Sequence, residues 1–489
     1  MKKRIFISAP TKVEDWVIAA QELLLESKVE VVGILHSSED VHKNSQVKFI
    51  NSKKLAESFF VMGNQEYSAL ESEYEDVYYK YQDIFKELLN RDYWAYLKHL
   101  SKDIFLFYYD FWNKKFYKNS FDAVIFNITP HKIFDFPLYV LAVEKGLNVN
   151  ILTWIPEVNL SFNRNRINSL PVLKRQTKEP SPQQLNACRI LNKWLNRMSR
   201  DYKEGIPPSE KKLRREVKSL DKNYYFLSKI RRGRGNLRIY SKFLLLSPLS
   251  FLEYIFSSLT FDLALFVYRS FYSYLSKDFK IPKKYIYFPL HFQPERTTAP
   301  EGWRYSNQFS FLNDIVKYLP NDYVLVVKEH PMQFSKLSQN LKSRTIWSYL
   351  KLYKNPRVKF APLMYDDPYS LIDNSNLVLS ITGTVVLEAL VRNKPVAYVG
   401  YPWYAPLFPS GFANKDDIKD TLDIIRNASI NPSGIVKHSK DYIIDLVCSS
   451  YFINCESPVP GAVYKSYPMT ESTEEIKKFI YENCCAAMD

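Results

Sequence analysis

Short apolar runs alternate with amphipathic stretches in two parts of the chain. In the first part the apolar runs lie at residues 4–8 and 29–35 and, as a pair, within 121–154. The same rhythm returns from residue 285 to 399, where five apolar runs predict strands and stretches such as 306–319 and 384–392 predict helices. Strands that alternate with helices are typical of parallel α/β sheets. The pattern therefore predicts an α/β protein with two Rossmann-like lobes.

The regions around the two lobes have other patterns. We expect residues 1–160 to form the N-terminal lobe, with a helical insertion near 66–117, and residues 281–425 to form the C-terminal lobe. Residues 161–280 are expected to be a basic and aromatic helical linker, and 426–489 a helical tail. Ligands of open α/β sheets bind beyond the carboxyl ends of the strands, so the cleft between the lobes is the expected binding site.

Glycine and cysteine usage exclude several classes of protein. Glycine occurs 12 times in 489 residues, and the glycine-rich dinucleotide and phosphate-loop motifs are absent. A Rossmann dehydrogenase or P-loop enzyme is therefore not expected. The five cysteines lack zinc-ligand spacing, so we expect no metal. Their odd number favours reduced thiols, which predicts a cytoplasmic protein.

The positive charge is concentrated in the linker. Residues 161–280 hold 25 Lys+Arg and 9 Asp+Glu, a net of +16, whereas the rest holds 42 and 43, a net of −1. Residues 243–275 are apolar but are interrupted by charged residues and by Pro248, so no membrane-spanning run is predicted. The stretch has one polar helical face: Ser250, Glu253, Ser257 and Thr260. Two interpretations stay open, namely peripheral docking on an anionic inner-membrane surface and a solvated basic face beside ordinary core helices. Without a nucleic-acid-binding motif, nucleic acid is not an expected partner.

The segment SITGTVVLEAL, residues 380–390, is the strongest candidate binding motif. A strand is expected to end at Ile381 and a helix to begin near Thr384, whose free amides would hold a phosphate. The candidate binding residues are Ser380, Thr382, Gly383, Thr384 and Glu388. Glu388 would accept hydrogen bonds from ribose hydroxyls. The alternative is a capped helix in which Glu388 pairs with Arg392 one turn later.

Two further loops follow predicted strands of the same lobe. The segment VKEHP contains Lys328 and His330, whose side chains suit phosphate oxygens. The segment FPLHFQPE contains His291, Gln293 and Glu295, which are candidates for contact with a base or a sugar. An ordinary solvated loop is the alternative for each of them.

These motifs together resemble the capsule polysaccharide biosynthesis family, which includes bacterial β-Kdo transferases (Kdo is 3-deoxy-manno-octulosonic acid). The resemblance covers residues 281–410 and includes NKPVAYVGYPWY after the other motifs. The His-Pro pair and the later Ser/Thr-rich turn are also similar to bacterial sialyltransferases, which use CMP-sugars. The resemblance implies a GT-B glycosyltransferase with the nucleotide sugar in the C-terminal lobe and a lipid-linked or oligosaccharide acceptor at the N-terminal lobe. By resemblance, the donor phosphate is assigned to His330, Ser380, Thr382 and Thr384.

The residues that perform the chemistry are less defined. A transferase needs an acceptor-side base or nucleophile, and His131, Asp135 and Glu157 lie near predicted strand ends. We take His330, His131 and Glu157 as the catalytic candidates. The acidic acceptor motif of the sialyltransferases is not present, so the retaining or inverting outcome stays open. Two alternatives also stay open: a GT-B enzyme that uses a UDP-sugar, and a non-catalytic membrane-associated assembly factor.

Overall fold

A computed structural model describes most of the chain, in thirteen stretches. These are residues 2–9, 14–24, 29–36, 47–62, 71–155, 159–171, 179–196, 237–335, 341–405, 412–415, 417–430, 440–455 and 467–485.

The first sheet lies in the N-terminal part and has six strands in the order β3-β2-β1-β4-β5-β6. Its strands are β1 Lys3–Ala9, β2 Val29–His36, β3 Phe49–Asn51, β4 Ala123–Phe126, β5 Asn148–Ile155 and β6 Leu160–Arg164. Strands β1 to β5 are parallel, whereas β6 runs antiparallel to β5. The near-continuous apolar composition of the parallel strands reflects burial on both faces.

Helices cover both faces of this sheet. Those of the N-terminal part are α1 Asp15–Leu24, α2 Ser52–Met62, α3 Glu71–Leu88, α4 Ser101–Asn119 and α5 Asp135–Glu144. Helices α2 to α5 form an aromatic-rich core with one face, and α1 packs on the other. Gly146 ends the turn after α5 with a φ of 67°, a left-handed conformation that glycine adopts without a steric penalty.

The second sheet lies in the C-terminal part and has five parallel strands in the order β11-β10-β7-β8-β9. Its strands are β7 Tyr285–Pro289, β8 Val324–Lys328, β9 Val358–Ala361, β10 Leu377–Ser380 and β11 Val396–Tyr398. The remaining helices are α6 Pro182–Asn196, α7 Leu237–Leu246, α8 Pro248–Leu259, α9 Phe261–Ser276, α10 Gln308–Tyr318, α11 Ile346–Tyr353, α12 Ser370–Asp373, α13 Val385–Val391, α14 Ile418–Ile430, α15 Lys440–Cys448 and α16 Met469–Ile480. The prediction of two Rossmann-like α/β lobes of the GT-B type is confirmed.

Two strands were not foreseen from the apolar pattern. Strand β3 has only three residues, too few for a period to show. Strand β6 extends the N-terminal sheet to Arg164, beyond the expected lobe boundary at residue 160. It is an antiparallel edge strand, and its sequence, LSFNR, alternates too briefly to be told from a loop.

Helices α8 and α9 connect the two lobes. Phe251 and Tyr254 of α8 pack against the aromatic core of the N-terminal lobe, whereas Leu265 and Tyr272 of α9 lie in the core of the C-terminal lobe. The axes of the two helices differ by 71°. Among the described residues no single helix is long and apolar enough to cross a membrane, although this bent pair reaches the length and hydropathy of a span when its two helices are taken together.

The C-terminal tail packs on the N-terminal lobe. Ile476, Phe479 and Ile480 of α16 share a core with α1 and with the strands β1, β2 and β4. The segment before α16 also returns to this lobe, where Tyr451 forms a bridge with Ser161 of β6. The chain therefore crosses between the lobes a second time.

Candidate functional site

A cavity of about 380 Å³ opens at the carboxyl ends of β7, β8 and β10. In the second sheet β7 is central, with β8 on one side and β10 on the other, so the cavity lies where the strand order reverses. Nine of the predicted site residues line it: His291, Glu295, Lys328, His330, Ser380, Thr382, Gly383, Thr384 and Glu388. The three sequence motifs therefore meet at one edge of one sheet.

His330 follows β8 and begins a short 3-10 helix, Pro331–Phe334. Its Nδ1 accepts a hydrogen bond of 3.2 Å from the backbone N–H of Met332. The proton of the neutral ring is then on Nε2, which leaves Nε2–H as a donor. Burial, assisted by the positive charges of Lys328 and Arg344, lowers the pKa of His330 to about 4. At neutral pH the ring is therefore an uncharged hydrogen-bond donor.

A buried ion pair, which the sequence motifs did not reveal, positions the His330 loop. The Glu329 carboxylate accepts hydrogen bonds from Arg344 Nε at 3.1 Å, from the hydroxyl of Tyr349 and from the backbone N–H of His330 at 2.7 Å. Arg344 and Glu329 are almost fully excluded from solvent. Arg344 also donates from Nη2 to the carbonyl of His291 at 2.5 Å. One buried pair thus connects the loops after β7 and β8.

His291 and Ser380 form the wall beneath Gly383. His291 Nε2 lies 3.1 Å from Ser380 Oγ, and the Gly383 N–H donates to the same oxygen at 3.0 Å. Burial lowers the pKa of His291 to about 3, so its ring is neutral. A Cβ on residue 383 would lie 2.8 Å from Ser380 Oγ and 2.9 Å from His291 Cε1. The glycine is therefore required by the close approach of these side chains, and the Ser380 hydroxyl already has protein partners.

The remaining residues of the predicted turn differ in accessibility. Thr382 is buried and donates from Oγ1 to the carbonyl of Thr297 at 2.5 Å, whereas Thr384 is exposed in the cavity. Helix α13 begins at Val385, one residue after the predicted start, and has seven residues. So short a helix provides only a few free amides for a phosphate.

Glu388 is an ionisable group of the cavity wall whose pKa lies near neutrality. Burial raises the pKa of its carboxyl to about 7, and the nearby Arg392 lowers it in part. Arg392 itself donates from Nε and Nη2 to the Asp373 carboxylate. The alternative in which Glu388 and Arg392 pair along the helix is therefore not the arrangement in the structure. Glu388 remains partly accessible and lines the cavity.

Lys328, Glu295 and Gln293 have different environments. Lys328 lines the cavity and is almost fully buried, and its Nζ donates to the carbonyl of Leu363 at 3.0 Å. Glu295 lines the cavity and is exposed to solvent. Gln293 is buried and is not among the lining residues, and its side-chain amide has no hydrogen-bond partner in the part of the chain described. The predicted contact of Gln293 with a base would therefore require its side chain to reorient.

The N-terminal lobe contributes a second group of candidates near the junction of the lobes. His131 Nδ1 lies 2.8 Å from the Thr129 carbonyl, which fixes the proton on Nδ1 and leaves Nε2 as an acceptor. Burial, together with the charges of Lys132, Arg91 and Arg296, holds the pKa of His131 well below its usual range. Neither His131 nor Asp135 lines the cavity. Glu157 lies outside the described residues.

The Asp135 carboxyl is buried at the start of α5. Its Oδ1 accepts a hydrogen bond of 2.6 Å from the backbone N–H of Lys132. Burial raises the pKa of Asp135 to about 7. This geometry stabilises the turn before α5, which is a structural role. Within the described residues, no group of three His, Cys, Asp or Glu side chains is arranged to hold a metal ion.

A sequence match covers much of the segment that surrounds this cavity. Residues 302–408 match the sequence profile described as "Capsule polysaccharide biosynthesis protein". Over this segment the chain is similar to the capsule polysaccharide biosynthesis family. The segment contains the His330 loop and the turn from Ser380 to Glu388, which line most of the cavity, and the resemblance drawn from the motifs is confirmed.

Over its whole length the chain has only weak similarity to the solved structures named below. No curated protein matches its sequence. Among solved structures, the UDP-GlcNAc 2-epimerase of Methanocaldococcus jannaschii is 12% identical, with coverage of 92% of this chain and 99% of the other and a TM-score of 0.26. The β-Kdo 2,7 transferase KpsC of Thermosulfurimonas dismutans is 11% identical, with coverage of 75% and 88% and a TM-score of 0.29. The Anabaena protein Alr3699/HepE, solved with UDP-glucose, is 10% identical, with coverage of 98% and 99% and a TM-score of 0.24. Superpositions this loose do not transfer the role of any residue.

Proposed function

We propose that the chain is a glycosyltransferase of bacterial capsule or surface polysaccharide synthesis, which holds a nucleotide-sugar donor in the cavity of the C-terminal lobe. The observation that supports this most is the convergence of three loops on one cavity at the strand-order reversal, two of them within the segment that matches the capsule family. A volume of about 380 Å³ is within the usual range for small-molecule sites.

The donor groups around the cavity suit a phosphate and a sugar. The Nε2–H of His330 and the hydroxyl of Thr384 can each donate to a phosphate oxygen, and the Lys328 charge favours an anion. Because the pKa of His330 is lowered to about 4, the ring is neutral at neutral pH and donates from Nε2 as an uncharged group. The Glu388 carboxylate can accept hydrogen bonds from ribose hydroxyls. We further propose that His330 stabilises negative charge on the leaving phosphate.

For the finer specificity, we propose a CMP-linked acidic sugar such as CMP-Kdo as the donor and a lipid-linked or growing glycan as the acceptor. The support for CMP is the resemblance of the His-Pro pair and the Ser/Thr turn to enzymes that use CMP-sugars. On the acceptor side, His131 is the candidate base, because Nε2 of its neutral ring is free of a proton at neutral pH. Its low pKa makes His131 a weak base, and Glu157 remains the other proposed acceptor-side candidate.

The first experiment measures nucleotide binding by thermal shift with CMP, UDP, GDP and CDP. A nucleotide at about 100 times its dissociation constant should add about 2.7 kcal/mol to the free energy of unfolding. We expect CMP to give the largest shift. A larger shift with UDP would overturn the CMP assignment and retain the nucleotide site. No shift with any nucleotide would overturn the proposed site and favour the assembly-factor alternative.

The second experiment separates transfer from other chemistry on a nucleotide sugar. The chain is incubated with the preferred nucleotide sugar, with and without a lipid-linked glycan, and the sugar products are separated by mass and by stereochemistry. Transfer requires the acceptor and releases the free nucleotide. An isomerised nucleotide sugar formed without acceptor would identify an epimerase and overturn the transferase proposal.

A further inference from the structure

The outer surfaces of α8 and α9 are unusually apolar for a surface exposed to solvent. Leu249, Phe256 and Leu259 of α8 have exposed fractions of 81%, 68% and 75%, and Leu263 and Phe266 of α9 are exposed by 64% and 66%. Together with Leu252, these residues define what we call the apolar outer face. The four on α8 lie at positions i, i+3, i+7 and i+10, a spacing that places them on one side of the helix.

The polar residues of α8 lie on the opposite side, toward the protein. Ser250 is buried, and Ser257 forms a hydrogen bond with the Tyr96 hydroxyl. Glu253, at the edge of this side, is paired with Lys342. A surface helix of a water-soluble lobe normally turns its apolar stripe inward and its polar stripe outward. Helix α8 packs Phe251 and Tyr254 inward beside its serines, and it presents a second apolar stripe of leucine and phenylalanine outward, which indicates an apolar environment on the outer side.

We propose that the apolar outer face docks the chain in the interfacial layer of an anionic membrane. Contiguous exposed apolar surface of this kind marks an interaction site. The choice of a membrane rests on charge, because residues 197–236, which directly precede α7 in the sequence, carry 13 Lys+Arg and 5 Asp+Glu. Lys242 and Lys277 lie near the two ends of the helical pair. A basic segment adjacent in sequence to an apolar helix face is a combination typical of chains that bind anionic leaflets.

The geometry indicates that the pair lies along the membrane surface and does not cross it. Phe251 and Tyr254 attach α8 to the N-terminal lobe, while the buried Leu265 and Tyr272 attach α9 to the C-terminal lobe. Each helix is therefore held against protein along one side, with only its other side available to lipid. Both helices are also shorter than the roughly 20 residues needed to span a bilayer.

Helix α9 joins this face directly to the proposed donor cavity. The Tyr272 hydroxyl accepts a hydrogen bond of 2.8 Å from the Glu329 N–H and donates one of 3.0 Å to the Ala361 carbonyl. Arg269 donates from Nε to the Phe334 carbonyl at 2.7 Å, at the end of the short helix that His330 begins. Docking would thus fix the orientation of the His330 loop relative to the membrane. This consequence rests on the proposed function, whereas the docking itself does not. It assumes a lipid-linked acceptor, which docking would place near the cavity.

The test is flotation of the full chain with vesicles of phosphatidylcholine alone and of phosphatidylcholine with phosphatidylglycerol. The outer-face variant carries Phe256→Ser and Leu259→Ser. The matched control carries Tyr79→Ser and Tyr117→Ser, which remove two large side chains of 52% and 70% exposure from α3 and α4. We expect the wild type and the control to bind the anionic vesicles, and the outer-face variant to bind them about tenfold or more weakly. Added salt should weaken binding of the wild type.

Several results would overturn the proposal. The wild type could fail to bind either kind of vesicle, or the outer-face variant could bind as well as the wild type. Binding that is independent of salt and equal for the two kinds of vesicle would also contradict the proposal. A dimer in lipid-free solution that only the outer-face variant disrupts would instead identify a second copy as the occupant of the face. Nucleotide thermal shifts on the same samples report on the donor site separately. Loss of lipid binding with an intact nucleotide shift therefore contradicts the docking proposal alone.

Discussion

The first five strands of each sheet follow the same order, but the carboxyl edges of the two sheets differ. One edge opens into a cavity, whereas the other is filled by protein side chains and by the tail of the chain. In each sheet, the first strand is central, with the second and third strands on one side and the fourth and fifth on the other. The edge of the C-terminal sheet opens into the cavity that contains His330 and Glu388. At the edge of the N-terminal sheet, Asn127 after β4 donates from Nδ2 to the Cys455 carbonyl, so the chain's own tail lies across it.

A buried ion pair further fills the N-terminal edge. Arg164 at the end of β6 donates from Nη2 to Thr129 Oγ1 at 2.7 Å and lies 3.1 Å from Glu301 of the C-terminal lobe. Thr129 in turn donates to Glu301 at 2.7 Å. Strand order therefore determines where a crevice can form, whereas side chains and distant segments of the chain determine whether that crevice remains open. One edge holds the lobes together, and the other is available to a ligand.

The largest expected effect is on the closed edge. Arg164→Met should lower the free energy of unfolding by about 3–5 kcal/mol, because Glu301 is left buried without its main partner. Nucleotide affinity per folded molecule should stay unchanged. Denaturant unfolding and nucleotide titration measure the two quantities. The control Lys317→Met removes the exposed partner of Asp314 and should leave the stability almost unchanged. If Arg164→Met and Lys317→Met have the same free energy of unfolding, the ion pair at this edge does not stabilise the fold.

The open edge should respond in activity rather than stability. His330→Ala should reduce transfer roughly ten- to a hundredfold, as expected for the loss of a hydrogen bond worth about 1.5–3 kcal/mol to a charged group. His330→Asn can retain an acceptor for the Met332 N–H but lacks a donor at the Nε2 position, so it should be stable and equally impaired. His330→Gln can restore that donor and should recover part of the activity. Turnover and melting temperature are measured together, and a stable, fully active His330→Ala enzyme would refute the assignment.

Gly383→Ala should give an intermediate effect at the same edge. The new Cβ must displace Ser380 or His291, a type of overpacking that costs about 1–3 kcal/mol. We expect weaker nucleotide binding, because both displaced side chains line the cavity. The control Gly146→Ala meets no atom within 4 Å but strains a φ of 67°, so it should lose stability and retain affinity. Isothermal titration of both variants decides whether the packing beneath the turn matters for binding.

The smallest expected effect is a pH dependence caused by Glu388. Its carboxyl has a pKa of about 7 in the folded chain, above the ordinary value of 4.5, so the folded state holds this proton more tightly than the unfolded state. The favourable contribution of Glu388 to stability is thus present below pH 4.5 and is lost as the pH rises through 7. Glu388→Gln should remove this slope and also flatten nucleotide affinity, which in the wild type should rise through pH 7 as the carboxylate forms. Stability and nucleotide affinity are measured against pH for the wild type and Glu388→Gln. The same pH dependence in both proteins would contradict the role of Glu388.

Much of this organisation was predictable because it depends on local sequence. The apolar runs that form β7, β8 and β10 each end beside polar residues, and parallel strands bring their carboxyl ends to one edge. That is why His330 and Glu388 could be assigned to one site before any contact was known. The family resemblance rested on the same loops and was confirmed over residues 302–408.

The tertiary structure alone decided which polar groups share a partner and which way each helix faces. Arg344 joins Glu329 beneath the cavity, and Arg164 joins Glu301 across the lobes, because folding brings distant segments within hydrogen-bonding distance. The sequence of α8 shows one polar stripe and one apolar stripe, but its periodicity is the same whichever stripe faces inward. Only the packing of Phe251 and Tyr254 against the N-terminal lobe turns its leucines outward. Local periodicity fixes the shape of an element, whereas its orientation and partners depend on what the rest of the chain packs against it.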